Sequence, residues 1–254
     1  MTARRRRALA TWSPQWWAPA NGADDLHVMW LRYLIEHRSG ALRVINRGAD
    51  AAQRGQVVGC LGVTPQIGQC FIDDLAADDG TPWSAMARSI VDQVPERPAA
   101  VAVPTADHAL ADALAAAGAA VVSAYWIRPA AAGHSAVQAL DASVVDLPRP
   151  VHTFGGAPFD PDAPNGFGFT TDAGSVVGLA SVAAPPVYDP GGAVTLVDLV
   201  AGDDLAALLD STLAAAAERG DVLVTVVCAE TNVSLRRGLA AADFTRTVDI
   251  YRLP

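Results

Sequence analysis

Two short stretches of the chain hold carboxylates in the same pattern. Phe71-Ile-Asp-Asp-Leu-Ala-Ala-Asp-Asp79 falls on Leu196-Val-Asp-Leu-Val-Ala-Gly-Asp-Asp204 at a shift of 125 residues, so Asp73 meets Asp198 and Asp78-Asp79 meets Asp203-Asp204. A carboxylate held in an otherwise apolar strand can take a proton from an attacking group. On the residues alone Asp73 reads as a solvated carboxylate at a strand edge, and since Asp74 beside it faces the opposite way, one of the two is ordinary surface. Asp198 lies between Val197 and Leu199, where a charge needs a partner, and a structural hydrogen bond is an equal reading. The five His residues form no metal or triad spacing, and no phosphate-binding loop, Ser/His/Asp set or zinc signature occurs. Cys60, Cys70 and Cys228 form no CxxC; buried free thiols are expected, with Cys60 facing Cys70 across a hairpin as the alternative.

The match extends beyond the acidic strand. Without a gap, Ala100-Val-Ala-Val-Pro104 meets Thr225-Val-Val-Cys-Ala229, and upstream Gly55-Gln-Val-Val-Gly59 meets Gly174-Ser-Val-Val-Gly178 at a shift of 119. The six-residue difference is assigned to the loop Pro185–Gly192. Three matches in one order indicate an internal duplication.

Each copy predicts the same elements. In the first, strands are expected at Ala41–Arg47, Gln56–Val63, Cys70–Ala76, Val101–Pro104 and Ala120–Ile127. Thr81-Pro82 opens a helix to Gln93 with Thr as cap, and Asp107–Ala117 is a helix closed by Gly118. The second copy repeats this with strands near Phe167–Thr171, Val176–Val182, Val194–Ala201, Leu223–Ala229 and Thr245–Leu253. Its helices are Asp204–Glu218, ended by Gly220, and Asn232–Ala242. An amphipathic helix His27–His37 precedes the first copy, and residues 129–150, rich in Ala, Pro and Gly, read as a connector. The expected domains are residues 1–128 and 151–254. The fold class is α/β: two tandem units, each a mixed, mostly antiparallel sheet flanked by helices.

Composition bounds the function. The 254 residues are 51% hydrophobic and 18% charged, with ample material for a core. All 18 basic residues are Arg, yet the net charge is −9 even with Arg4–Arg7 counted. Such an acidic body should repel nucleic acid and anionic lipid. No stretch reads as a membrane span or signal peptide, so a cytoplasmic protein is expected. The cluster Trp12, Trp16 and Trp17 reads as a terminal segment packed on the core.

The element order resembles that of the GNAT acyltransferase superfamily, as two copies in tandem. The family's acidic strand, written aromatic-Leu-Glu-Asp-Leu-x-Val, is similar to Phe71-Ile-Asp-Asp-Leu-Ala-Ala77. The family's last-helix pattern Asn-x2-Ala-x3-Tyr-x3-Gly-Phe falls on Asp107, Leu110, Leu114, Gly118 and Ala119, and on Asn232, Leu235, Leu239, Asp243 and Phe244. The resemblance implies acyl transfer, chiefly acetyl, from acyl-CoA to a small amine, without a metal. It implies Asp73, with Asp198 as its repeat mate, for the base. Backbone amides around Leu75, Ala76, Ala77 and Val200 would hold the thioester. Asp107 and Asn232 fall where the family touches the cofactor, although both also suit helix N-caps. The first copy is expected to be the active one, and a homodimer is left open.

The chain departs from the family twice in each copy. Asp78-Asp79 and Asp203-Asp204 stand where a glycine-rich turn would wrap a pyrophosphate, and Leu114 and Leu239 replace the Tyr that protonates the leaving thiolate. Tyr125 or Tyr188 is the candidate substitute acid. A silent module binding a ligand or protein is therefore the rival reading, and a carrier-protein donor the third.

Overall fold

The computed structural model of the chain describes residues 41–46, 57–66, 69–77, 82–94, 98–133, 138–140, 166–181 and 194–254. The helix at His27–His37, the Trp cluster, the Arg run, the Thr81 cap, the loop with Tyr188 and most of the connector lie outside them. The first copy contributes β1 (Ala41–Asn46), β2 (Val57–Gln66), β3 (Gln69–Ala77), α1 (Trp83–Gln93), β4 (Ala99–Pro104), α2 (His108–Ala116) and β5 (Ala120–Pro129). A short β6 (Gln138–Leu140) follows. The second copy contributes β7 (Gly166–Thr171), β8 (Gly174–Ser181), β9 (Val194–Gly202), α3 (Leu205–Glu218), β10 (Leu223–Ala229), α4 (Val233–Ala241) and β11 (Thr245–Arg252). This is the expected order of elements, twice over. The connector is not wholly irregular: β6 lies within it and pairs antiparallel with β7.

The described residues form two compact units, and these depart from the two sequence copies at the last strand of each. Unit 1 holds the described residues up to Val122 together with Val248–Pro254; unit 2 is Ser123–Thr247. In unit 1, β1, β2 and β3 form an antiparallel meander, β3 runs parallel to β4, and Val248–Arg252 of β11 pairs antiparallel with Pro104–Ala100. In unit 2, β7, β8 and β9 form the meander, β9 runs parallel to β10, and Ser123–Pro129 of β5 pairs antiparallel with Ala229–Leu223. Each unit is thus closed by the final strand of the other copy.

The cores follow from the apolar stripes of the helices. In unit 1, Met86, Ala87 and Ile90 of α1 and Leu110 and Leu114 of α2 pack with Ile72, Val101 and Val103 of the sheet, and Tyr251 and Leu253 join them from the exchanged strand. In unit 2, Leu208, Leu209 and Leu213 of α3 and Leu235 and Leu239 of α4 pack on Val197, Val224, Val226 and Cys228. Arg128 of the exchanged β5 donates from Nη1 to the Ala242 carbonyl at 2.7 Å, placing a cation at the C-terminal end of α4, where the helix dipole favours it.

Helix ends agree with their sequence signals in most places. Asp107, Asp204 and Asn232 each accept from the amide three residues on, at 3.0–3.1 Å. Gly118 and Gly220 take positive φ just past α2 and α3, as expected of helix-ending glycines. At α1 it is Pro82, with extended ψ, that occupies the cap position, and the helix begins at Trp83.

Candidate functional site

The register of the meanders singles out Asp73 and Asp198. Along β2 and β3, Val63 pairs with Ile72 and Gly62 with Asp74, so Asp73 is an extra residue with no partner opposite. Along β8 and β9, Gly178 pairs with Val197 and Val177 with Leu199, and the extra residue is Asp198. Both are β-bulges, at the same place in each copy. Bulges bend a strand, re-aim a side chain and are enriched beside active sites.

This pairing also corrects one alignment. Opposite the two bulges, Gly62 and Val63 correspond to Val177 and Gly178, a shift of 115 rather than 119. The hairpin ends agree, since Gln66 pairs with Gln69 and Ser181 with Val194. The slip is four residues, an even number, which preserves the alternation of faces and so hides in a Val/Gly pattern. Within the first hairpin, Cys60 is opposite Ala76 and Cys70 opposite Pro65, which overturns the alternative that the two cysteines face each other.

A second irregularity begins at the same residues. The parallel ladder of β3 with β4 runs from Cys70–Ala99 to Ile72–Val101 and stops. The ladder of β9 with β10 runs from Val194–Leu223 to Val197–Val226 and stops at the equivalent position. Among the described residues, Asp73–Ala77 and Ala102–Pro104 share no pairing, nor do Asp198–Gly202 and Val227–Ala229. Two strands that run side by side therefore part where the bulge begins. Backbone amides and carbonyls along a parted edge lack ladder partners and are free to hydrogen-bond an extended ligand. Leu75, Ala76 and Ala77 lie on this edge segment of β3, and Val200 on that of β9.

In unit 2 the closed end of the parallel pair is stapled. Thr195 Oγ1, fully buried on β9, donates to Asp221 Oδ2, and Arg219 Nε stands 3.6 Å from the same oxygen. Asp221 lies two residues before β10, so the pair ties β9 to β10 at the end opposite the parting. The shift-equivalent residues in the first copy are Cys70 and Glu96.

The mouth of unit 2 holds a second cluster. Glu230 directly follows β10, and its carboxylate takes Arg236 Nη1 of α4 at 2.6 Å and Arg246 Nη2 of β11 at 3.2 Å. Cys228, the last inward-facing residue of β10, is a buried free thiol. Burial, outweighing the attraction of Arg236, pushes that thiol up to about 11, so it stays protonated at neutral pH. These residues escape sequence reading because Glu230, Arg236 and Arg246 lie 6 and then 10 residues apart and match no motif. The usable signal was their absence from the first copy, which has Thr105, Ala111 and Val121 there.

Asp107 and Asn232 mark the starts of α2 and α4, just past the ends of β4 and β10, and each engages a backbone amide as a cap. Asp107 is buried, and that desolvation raises its carboxyl above its ordinary 3.8 against the pull of the Leu110 amide and His108. A raised folded-state value means the charged form costs the folded protein more than the unfolded chain. Asp107→Asn, which copies the cap of Asn232, should therefore raise Tm at pH 7. The gain should be full above the raised folded value, shrink as pH falls through it, and vanish below 3.8, where the carboxyl is neutral in the folded and unfolded chain alike. Asp107→Ala, which loses the acceptor, should cost about 1 kcal/mol instead. Thermal unfolding of the three proteins between pH 3 and pH 7 checks both signs.

The positions of the family's Tyr are Leu114 and Leu239, both fully buried in the helix cores. Tyr125 lies on the exchanged β5, paired with Val227, and is buried as well. Among the described residues, no group of three His, Cys, Asp or Glu could hold a metal ion, and no helix is long and apolar enough to cross a membrane.

No protein-family model matches the chain, and no curated protein matches it. Among solved structures the chain is similar to a tandem GNAT protein from the clavulanic acid biosynthesis pathway, at 14% identity and TM-score 0.47, covering 99% of this chain and 93% of that one. It is similar to a GNAT-family acetyltransferase from Colwellia psychrerythraea, at 12% identity and TM-score 0.47, covering 100% and 97%. A GCN5-related N-acetyltransferase from Kribbella flavida gives 12% identity and TM-score 0.44, covering 93% and 97%.

Proposed function

We propose that the chain is an acyltransferase, moving an acyl group from acyl-CoA to a small amine at the parting of a parallel strand pair. One observation carries this reading: both parallel ladders end at the residue before a bulge, and the bulged residue is Asp in both copies. A thioester arm with amide groups would lie along the parted edge as an added strand, hydrogen-bonding the backbone of Leu75–Ala77 or its counterpart around Val200. Backbone N–H groups on that edge would face the thioester oxygen and stabilise the charge that develops there. The bulge carboxylate, directly or through water, would take the proton from the attacking ammonium. The amine adds to the thioester carbon, its nitrogen gives up a second proton to solvent, the carbon–sulfur bond breaks, and the thiolate leaves to be protonated by solvent. An amine, cationic before reaction, suits a chain of net charge −9. A cytoplasmic setting belongs to the same proposal.

A second reading, a silent ligand- or protein-binding module, is favoured by one specific observation: Leu114 and Leu239 are buried in place of an acid. Calorimetric titration of acetyl-CoA and free CoA into the full chain separates the two. Saturable binding near one equivalent, with acetyl transfer to some member of an amine panel, is the expected result. No heat up to millimolar ligand would leave the binding module or a carrier-protein donor.

A further inference from the structure

The two partings are alike in backbone and opposite in charge. Residues 105–121, which lead from β4 through α2, contain Asp107 and Asp112 and no Arg. The shift-equivalent residues 230–246, which lead from β10 through α4, contain Arg236, Arg237 and Arg246 against Glu230 and Asp243. In unit 1 the residue capping α2 is a buried carboxylate, and in unit 2 the matching cap is the neutral Asn232. An anion brought to the mouth of unit 1 meets repulsion, and one brought to unit 2 meets guanidinium groups.

The arginines of unit 2 are held together by one carboxylate. Arg236 and Arg246 share the Glu230 carboxylate, one on each oxygen. Two guanidinium groups would otherwise repel, and the shared carboxylate fixes both beside the end of β10. Their side chains are 29% and 26% exposed, so the cluster is neither deep in the core nor fully in water. A guanidinium offers five N–H donors, and Arg236 spends one on Glu230; its Nε has no hydrogen-bond partner among the described residues. The alternative anchor for an anion, the start of α3, is closed: Asp204 already accepts from Ala207 N, and Asp203 adds a second negative charge.

We propose that the donor's anionic end, a phosphate-bearing nucleotide on the thioester arm, binds to unit 2 against Arg236 and Arg246, and that unit 1 takes no such donor. This rests on the thioester reading above and reverses the preference for the first copy drawn from its acidic strand.

The test is calorimetric titration of the full chain with two probes, CoA and pantetheine, the latter carrying the thiol arm without the nucleotide phosphates. Arg236→Gln with Arg246→Gln should weaken CoA by about tenfold or more, as expected for lost charge-assisted contacts, and leave pantetheine within about twofold. Arg236→Lys with Arg246→Lys, which keeps the charge, should recover most of the CoA affinity. In the wild type, CoA affinity should fall with added salt and pantetheine affinity should not. Unchanged CoA affinity in the double Gln variant, or equal loss for both probes, overturns the assignment while leaving the thioester reading intact. Binding of neither probe by the wild type overturns both. Should the Gln variant fail to fold, the Lys variant and the salt series still decide, since a salt-insensitive CoA affinity is itself contrary.

Discussion

A chain that stops at Thr247 should lose the fold of unit 1, although the residues removed lie more than a hundred positions away from α2. Val248–Pro254 supplies Ile250, fully buried, and Tyr251 and Leu253, 7% and 3% exposed. Burying each such side chain stabilises by about 1.5–3 kcal/mol. The same segment fills the antiparallel ladder from Ala100 to Pro104, and Leu253 N donates to Ala99 O at 2.8 Å. Together these losses reach the order of a domain's whole stability, about 5–15 kcal/mol. Amide exchange should show lost protection at Val101 and Leu110–Leu114 and retained protection at Val224–Val226. Full protection across α2 in the truncated chain would mean that β11 is dispensable there. A temperature scan alone would not distinguish the units; the site-resolved measurement does.

The second large effect concerns turnover. With acyl transfer in unit 2, Asp198→Asn should lower kcat by about 10²–10⁴-fold, the usual cost of removing a general base, and leave CoA affinity within a few-fold. Asp73→Asn should change neither. Asn keeps the volume and one acceptor oxygen, so the bulge is undisturbed and the loss reads the proton transfer. Steady-state rates with acetyl-CoA and the best amine, measured in parallel on both variants, settle the comparison. The reverse pattern would move the reaction to unit 1, and unchanged rates in both would remove the bulge carboxylate as the base.

Much of this was legible because it is local. The caps Asp107, Asp204 and Asn232 and the closing glycines Gly118 and Gly220 announce the helices by side-chain chemistry alone, and the structure has them in those roles. The repeated order of elements and its acidic strands were likewise visible, since the matched carboxylates stand out among apolar residues. The bulges themselves were not: a one-residue insertion in a ladder depends on which residue stands opposite, and the Val/Gly pattern of β2 and β8 allows a four-residue slip. Nor was the exchange of β5 and β11 visible. The apolar pattern of a strand does not name the strand it pairs with, so only long-range pairing decides. The Glu230 cluster was hidden for a related reason, being assembled from a strand end, a helix and the following strand. The strand β6 in the connector is three residues long, too short for periodicity to show.

The exchange of closing strands also sets an order of manufacture. Growing chains ordinarily finish their N-terminal domain first. Here unit 2 has every strand it needs once β10 has been made, because β5 precedes it. Unit 1, begun earlier, waits for Val248–Leu253 to be synthesised. The half of the protein translated first is thus completed last, and until then the edge of β4 and the apolar side chains awaiting Tyr251 and Leu253 are open to whatever the cell offers.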